Sequence, residues 1–255
     1  VSKSKKRQHQ QVQQRRATTR PTVVTPAEAK VVRDRQRAQR QRFAVAKRMS
    51  LIVLALLVVT GIGYLVMQKI TPDVDAPEIG AVAEELVLGE EGAPHDVIIY
   101  EDFRCPVCGV LERKLGDELA SLAAEGKVRV AYRPFDLLGG WSVDAAATFA
   151  VVLEEAGPET AAKFHQILYA QQPEERADNP GREWFVARAV EAGADADAVR
   201  AGLETGSGKE WVARATDAAE EAEVRGTPTV LLDGEVFEED RAPADRAERL
   251  LRALR

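Results

Sequence analysis

Cys105 and Cys108 are the only cysteines in a chain of 255 residues. Two thiols three positions apart can close a disulfide and exchange it with a third thiol, or they can supply half of a zinc site. As a purely structural link the pair would gain little, because it closes a very small loop. The flanking sequence is Val97-Ile98-Ile99-Tyr100-Glu101-Asp102-Phe103-Arg104-Cys105-Pro106-Val107-Cys108-Gly109-Val110. Exchange chemistry needs one sulfur that is reachable and easily ionised. A thiol at a helix N-terminus meets unpaired backbone N–H groups and the positive end of the helix dipole, both of which favour thiolate. Cys105 is therefore expected to have a lowered pKa, in the range from roughly 3.5 to 7 for such motifs. Arg104 would lower it further, while Glu101 and Asp102 push the other way.

The elements that must hold the two sulfurs follow from the pattern. His95–Tyr100 reads as the central strand, and its run Val97–Tyr100 is apolar and rich in β-branched residues, as a buried strand requires. Pro106 suits the first position of a helix, where its missing N–H costs nothing. Cys108 then falls one turn along the helix and is expected to be buried as the resolving thiol. The helix runs from Cys105 to Glu125, with Val110, Leu111, Leu115, Leu119 and Leu122 at helical spacing, and Gly126 ends it. Lys127–Pro134 alternates as a strand, which makes a parallel β–α–β unit with a right-handed crossover. Residues 139–222 read as helical: 142–156, closed by Gly157-Pro158, then 159–171, 182–192, 195–204 and 207–224. Trp141, Trp184 and Trp211 read as packing within this block, and His165 as a packed or half-exposed helix residue. Strand character returns at Thr229–Leu232, the Asp233-Gly234 turn gives a hairpin to Glu235–Phe237, and 244–254 is an amphipathic helix. Ala81–Leu88 is a possible edge strand.

Charge divides the chain. Residues 1–48 carry 15 Lys or Arg against Glu28 and Asp34, whereas 68–255 carry 20 basic and 39 acidic residues. Between them, 49–67 is a run of 19 uncharged residues, about 28 Å long as a helix, against a hydrocarbon core of about 30 Å. The expected organisation is a basic, largely disordered cytoplasmic tail (1–48), with a possible capping box at Thr25–Glu28, then a transmembrane helix (49–67), a stalk (68–80) and a globular domain (81–255) outside the membrane. The orientation follows from the basic flank. A cleaved signal peptide is disfavoured by the 48 residues ahead of the apolar core and by the distance to Ala81-Val82-Ala83. The tail is expected to meet an anionic membrane surface. Nucleic acid is not an expected partner, since no base-reading fold or interleaved aromatics accompany the basic residues. Zinc is disfavoured on ligand count: only His95, His165 and carboxylates remain on the same side of the membrane, so no metal is expected.

Gly226-Thr227-Pro228-Thr229 precedes the returning strand, and a proline in that place is often cis. Phe103–Cys108, the helical insertion and Gly226–Thr229 together resemble the DsbA-like branch of the thioredoxin-fold proteins, in its membrane-anchored bacterial form, over about residues 81–255. The resemblance implies an α/β thioredoxin-like fold with a large helical insertion, preceded here by a single transmembrane helix. It implies thiol–disulfide exchange on exported proteins that carry free thiols. In that reading Cys105 is the exposed nucleophile and Cys108 the buried resolving cysteine. Thr227-Pro228 is a cis turn lying against them that binds the client, and Pro106 and Val107 complete the client surface. No bound cofactor is implied beyond the Cys105–Cys108 disulfide itself, and a quinone-linked membrane partner would reoxidise it.

Two departures bear on the direction of the reaction. Many thioredoxin-like proteins place a buried acid six residues before the first cysteine, where this chain has Ile99. Strongly oxidising relatives have His where this chain has Val107. The alternatives are a reductase or isomerase using the same site, and a non-catalytic membrane-tethered binding module.

Overall fold

The computed structural model describes residues 74–238 and 241–255, together with Met49 and Val58. The proposed tail, the capping box and the membrane span lie outside these residues, apart from Met49 and Val58, which are helical and exposed. Among the described residues no helix is long and apolar enough to cross a membrane.

The elements are β1 (Leu86–Leu88), β2 (Asp96–Glu101), α1 (Pro106–Ala124), β3 (Arg129–Pro134), α2 (Trp141–Ala170), α3 (Arg182–Ala192), α4 (Ala196–Thr205), α5 (Ser207–Glu221), β4 (Thr229–Leu232), β5 (Glu235–Val236) and α6 (Pro243–Ala253). They form one five-stranded sheet in the order β1-β3-β2-β4-β5. β2 pairs in parallel with β3 from Asp96↔Arg129 to Glu101↔Pro134, so the expected β–α–β unit is present, with α1 as its crossover. β4 pairs antiparallel to β2, with Tyr100 opposite Thr229. That register brings the turn before Thr229 to the same end of β2 from which the chain passes into α1.

α1 buries Cys108, Leu111, Glu112, Leu115, Leu119 and Leu122, a stripe at spacings of three and four. α2 is one element interrupted at Gly157 (φ 80°, ψ 173°), followed by Pro158. The two helices expected on either side of Gly157-Pro158 are its two limbs. α3, α4 and α5 pack on α2, and ring contacts join Trp141 to Phe185, Trp184 to Phe185 and Trp211 to Phe149. The close approach of α5 to α2 depends on Gly208, where a Cβ would stand 2.4 Å from the carbonyl oxygen of Ala147.

One boundary differs from the expectation. Residues 74–80, read as the end of a free stalk, lie against the domain: Val74 and Ile79 are buried, and Arg133 donates from Nη2 to the carbonyls of Pro77 (2.9 Å) and Glu78 (3.1 Å). The prolines and acids of this stretch give it a linker's composition, but Val74 and Ile79 join the hydrophobic core and the carbonyls of Pro77 and Glu78 are held by Arg133 on β3.

Successive side chains of β2 point to opposite faces. Ile98 and Tyr100 take the face that carries Arg133. Ile99 and Glu101 take the other, under α1 and α2. Every position from Val97 to Glu101 is buried.

Candidate active site

Cys105 is the N-cap of α1. Its backbone N–H donates to the carbonyl of Asp102 (2.9 Å), which closes the turn out of β2. Its sulfur accepts from the N–H of Cys108 at 3.5 Å. The sulfur also donates to the carbonyl oxygen of Thr227 at 3.4 Å, so residues 122 positions apart in sequence meet at the site. The Thr227–Pro228 peptide is cis.

The two thiols sit in opposed states. Hydrogen bonding from the Cys108 side chain is the largest influence on Cys105. Burial opposes it, and Thr227 and the backbone N–H groups of Cys108 and Val107 assist it. The net effect brings the Cys105 thiol down to about 6. Cys108 is pushed well up, first by burial, then by its hydrogen bond and charge interaction with Cys105 and by the charge of Glu101.

Cys105 is less open than the sequence implies. It is 5% exposed against 1% for Cys108, while Val107 between them is 40% exposed. The cause is the Thr227 turn in front of the sulfur and the chain segments drawn in around it. The accessible surface is formed by Pro106 and Val107, with the Cys105 sulfur just behind.

Several residues hold this arrangement in roles that the sequence did not signal. Asp102, fully buried, accepts from the N–H groups of Arg104 (2.7 Å), Leu137 (2.9 Å) and Leu138 (2.9 Å) and from the Ser142 hydroxyl (2.7 Å). One carboxylate thus ties the β2–α1 turn to the loop after β3 and to the start of α2. Arg104 does not act as a partner for the thiolate. Its guanidinium donates to the carbonyls of Leu138 (2.8 Å), Gly139 (3.2 Å) and Glu175 (2.7 Å). Gln172, just beyond α2, donates from Nε2 to the carbonyls of Phe103 (2.8 Å) and Cys105 (2.9 Å).

The position six residues before Cys105 is the apolar Ile99, but its face of β2 does carry an acid. Glu101 lies two residues on, hence on the same face of β2. It is 2% exposed and hydrogen-bonds through Oε1 to Nε2 of His165. His165 is packed, as expected, but also ionically engaged, with Nδ1 3.5 Å from Oε1 of Glu112 on α1. Burial works against a charged imidazole here, yet Glu101 and Glu112 on either side prevail and push His165 up to about 10. The signal for this cluster was a pair of acids closing an apolar strand and a histidine on the apolar face of a helix. Neither stands out in one dimension. Among the described residues no group of His, Cys, Asp and Glu could hold a metal ion.

With this geometry in place, comparison with known proteins is informative. A family model described as thioredoxin matches residues 81–251. The chain belongs to the thioredoxin family. Two curated relatives are similar to it. The probable disulfide bond formation protein D of Bacillus anthracis is 25% identical over 193 residues, covering 74% of this chain and 88% of that protein. The Na(+)/H(+) antiporter NhaA 3 of Salinispora tropica is 31% identical over 150 residues, covering 58% of this chain. The match takes in 21% of the antiporter, so this chain corresponds to about a fifth of its length. Among solved structures, oxidised BdbD from Bacillus subtilis superposes with a TM-score of 0.62 at 20% identity, covering 72% of this chain and 98% of that one. The reduced disulfide bond oxidoreductase DsbG from Mycobacterium tuberculosis gives 0.56 at 25% identity, covering 67% and 86%. The protein is a thiol–disulfide oxidoreductase of the DsbA type, with the thioredoxin-like fold and a helical insertion.

Proposed function

We propose that the protein forms disulfides in exported proteins, outside the cytoplasm, through Cys105 and Cys108. The observation that carries this reading is the opposed state of the two sulfurs: Cys105 is acidic at a helix N-cap, and Cys108 is buried and held as a thiol. A client thiolate attacks Cys105 Sγ of the oxidised pair. The Cys105–Cys108 bond breaks, and Cys108 leaves and takes up a proton. A second client thiolate then attacks the client sulfur of the mixed disulfide, and Cys105 departs as the thiolate its surroundings favour. The client loses two electrons, the dithiol gains them, and a membrane partner that passes electrons to a quinone restores the disulfide. The Thr227 carbonyl beside the Cys105 sulfur would receive the client backbone. Pro106 and Val107 would lie under the client, with the exposed Leu137 and Leu138 as an apolar rim. The uncharged run 49–67 would anchor the domain and the basic tail would remain inside.

The test is covalent trapping in an oxidising compartment. Cys108→Ala should give reductant-sensitive high-mass adducts on a non-reducing gel, because nothing resolves the mixed disulfide. Cys105→Ala should give none. Adducts only from Cys105→Ala would reverse the roles, and an inert wild-type chain would favour the binding-module alternative. The direction is read from the reduction potential: about −120 mV fits an oxidant and about −270 mV a reductase. Protease added outside intact cells should degrade the domain, and its protection would overturn the extracytoplasmic placement.

A further inference from the structure

Gly109 lies inside α1, where glycine is a poor helix former, and its φ is not positive, so the backbone does not require it. Its neighbours supply the reason. A Cβ at this place would overlap Oε1 of Gln172 and stand 2.7 Å from Nη1 of Arg113. Four residues after Cys105, one helical turn on, α1 leaves out a side chain, and the end of α2 fills the space.

That end is fixed on two sides. Arg113 donates from Nη1 to the carbonyl of Tyr169 (2.7 Å). Gln171 donates from Nε2 to the carboxylate of Glu191 on α3 (2.9 and 3.1 Å). Gln172 follows directly. Its amide nitrogen carries two N–H groups, and both carbonyls within reach accept from it, that of Phe103 at 2.8 Å and that of Cys105 at 2.9 Å. These carbonyls belong to the peptide units 103–104 and 105–106. Each unit is planar, so holding both restrains the dihedrals of Arg104 and Cys105 between them. Those dihedrals decide where the Cys105 sulfur stands relative to the Cys108 thiol, the Thr227 carbonyl and the N–H groups of Cys108 and Val107.

We propose that Gln172 is a positioning residue for exchange: its amide brackets the backbone of Cys105 and holds the nucleophilic sulfur at the helix N-cap, and Gly109 is the space that admits it. The inference rests on the reading of Cys105 as the exchanging thiol. It gives the helical insertion a part in the chemistry, because the bracket comes from the end of α2 and not from the sheet or α1. Hydrogen-bond donors favour a thiolate only while they are aimed at it, so a loosened Cys105 should return towards an ordinary thiol. Glutamate at 172 would set acceptors against both carbonyls, and asparagine falls one methylene short. Of the groups that move the Cys105 thiol most, Cys108 on α1 is the titratable one. Arg104 is turned to the carbonyls of Leu138, Gly139 and Glu175, Asp102 accepts from three N–H groups and the Ser142 hydroxyl, and Glu101 is engaged with His165. Gln172 and Gly109 are both uncharged, so replacing them leaves every one of these groups in place.

The experiment follows alkylation of Cys105 by iodoacetamide in the reduced full chain across pH. Wild type should show a midpoint at about 6. Gln172→Ala should raise it by about one unit, a tenfold loss of acidity. Gly109→Ala leaves Gln172 in the chain but pushes its amide aside, and should raise the midpoint by a similar amount. The double variant should match Gln172→Ala alone, because the added Cβ then has no amide to displace. A residue that only stabilised the fold would lower the denaturation midpoint and leave the alkylation midpoint where it is. A folded Gln172→Ala within about 0.3 unit of wild type overturns the inference, as does a double variant whose shift is the sum of the two single shifts. If Gln172→Ala does not fold, Gly109→Ala decides, and an unmoved midpoint there overturns the inference equally. A wild-type midpoint above about 8, that of an ordinary thiol, would remove the reading of Cys105 as well, so the two failures are told apart.

Discussion

The two faces of β2 each bury charge, and they do so in different ways. On the Tyr100 face, Arg133 makes four hydrogen bonds. It pairs with Glu85 at 2.9 Å, with the Tyr100 hydroxyl at 2.9 Å and with the carbonyls of Pro77 and Glu78. On the Glu101 face, His165 is shared between two carboxylates, Glu101 and Glu112. The first network holds chain segments together. The second shares one imidazole between two acids, and its Glu112 lies one helical turn from Cys108 on α1.

The comparison can be broken most severely at Arg133. Arg133→Met should cost about 3–5 kcal/mol, because it leaves Glu85 buried without its partner. Chemical denaturation should report that loss, and the reduction potential should not move. A loss below about 1 kcal/mol would mean the Arg133 network is not structural.

The second prediction concerns pH and should be measured on the oxidised protein, where neither sulfur titrates. The folded-state pKa of His165 is raised from 6.5 to about 10, so its contribution is fully present below about 6.5 and is lost as pH rises towards 10. Glu101 is raised as well, by burial first, with His165 opposing. Its folded form also binds more protons than its unfolded form, so the two groups act in the same direction. Denaturation midpoints should fall between pH 6.5 and pH 10, and the Arg133→Met variant should keep this slope. A flat profile would contradict the ionic assignment of the cluster.

The smallest effect is expected at Glu112. Replacing the more distant of His165's two carboxylates by an apolar side chain of similar volume, Glu112→Leu, should leave stability within about 1 kcal/mol of wild type, as judged by the same denaturation curves. A loss approaching that of Arg133→Met would erase the distinction between the faces.

What could be read in one dimension was what local chemistry dictates. The apolar run 97–100, the Pro106 helix start, the Gly157-Pro158 break and the Asp233-Gly234 hairpin all act within a few residues, and each is found where its sequence places it. The paired cysteines and the Thr227-Pro228 turn were legible because their residue types are restrictive. Asp102 was not legible, because three of its four partners come from the loop after β3 and the start of α2. Nor was His165, whose partners lie on β2 and α1, 64 and 53 positions away. The pairing of Glu101 with His165 was not legible for a related reason. The face of a strand repeats every second residue, so Glu101 serves the same face as Ile99.

The segment from Val74 to Gly80 has a mechanical consequence. Any tension on the chain ahead of it enters the domain through the carbonyls of Pro77 and Glu78, and Arg133 hands it to β3. The load is then shared by the β3–β2 ladder of backbone bonds. The load thus reaches β3 before β2, the strand that leads into Cys105.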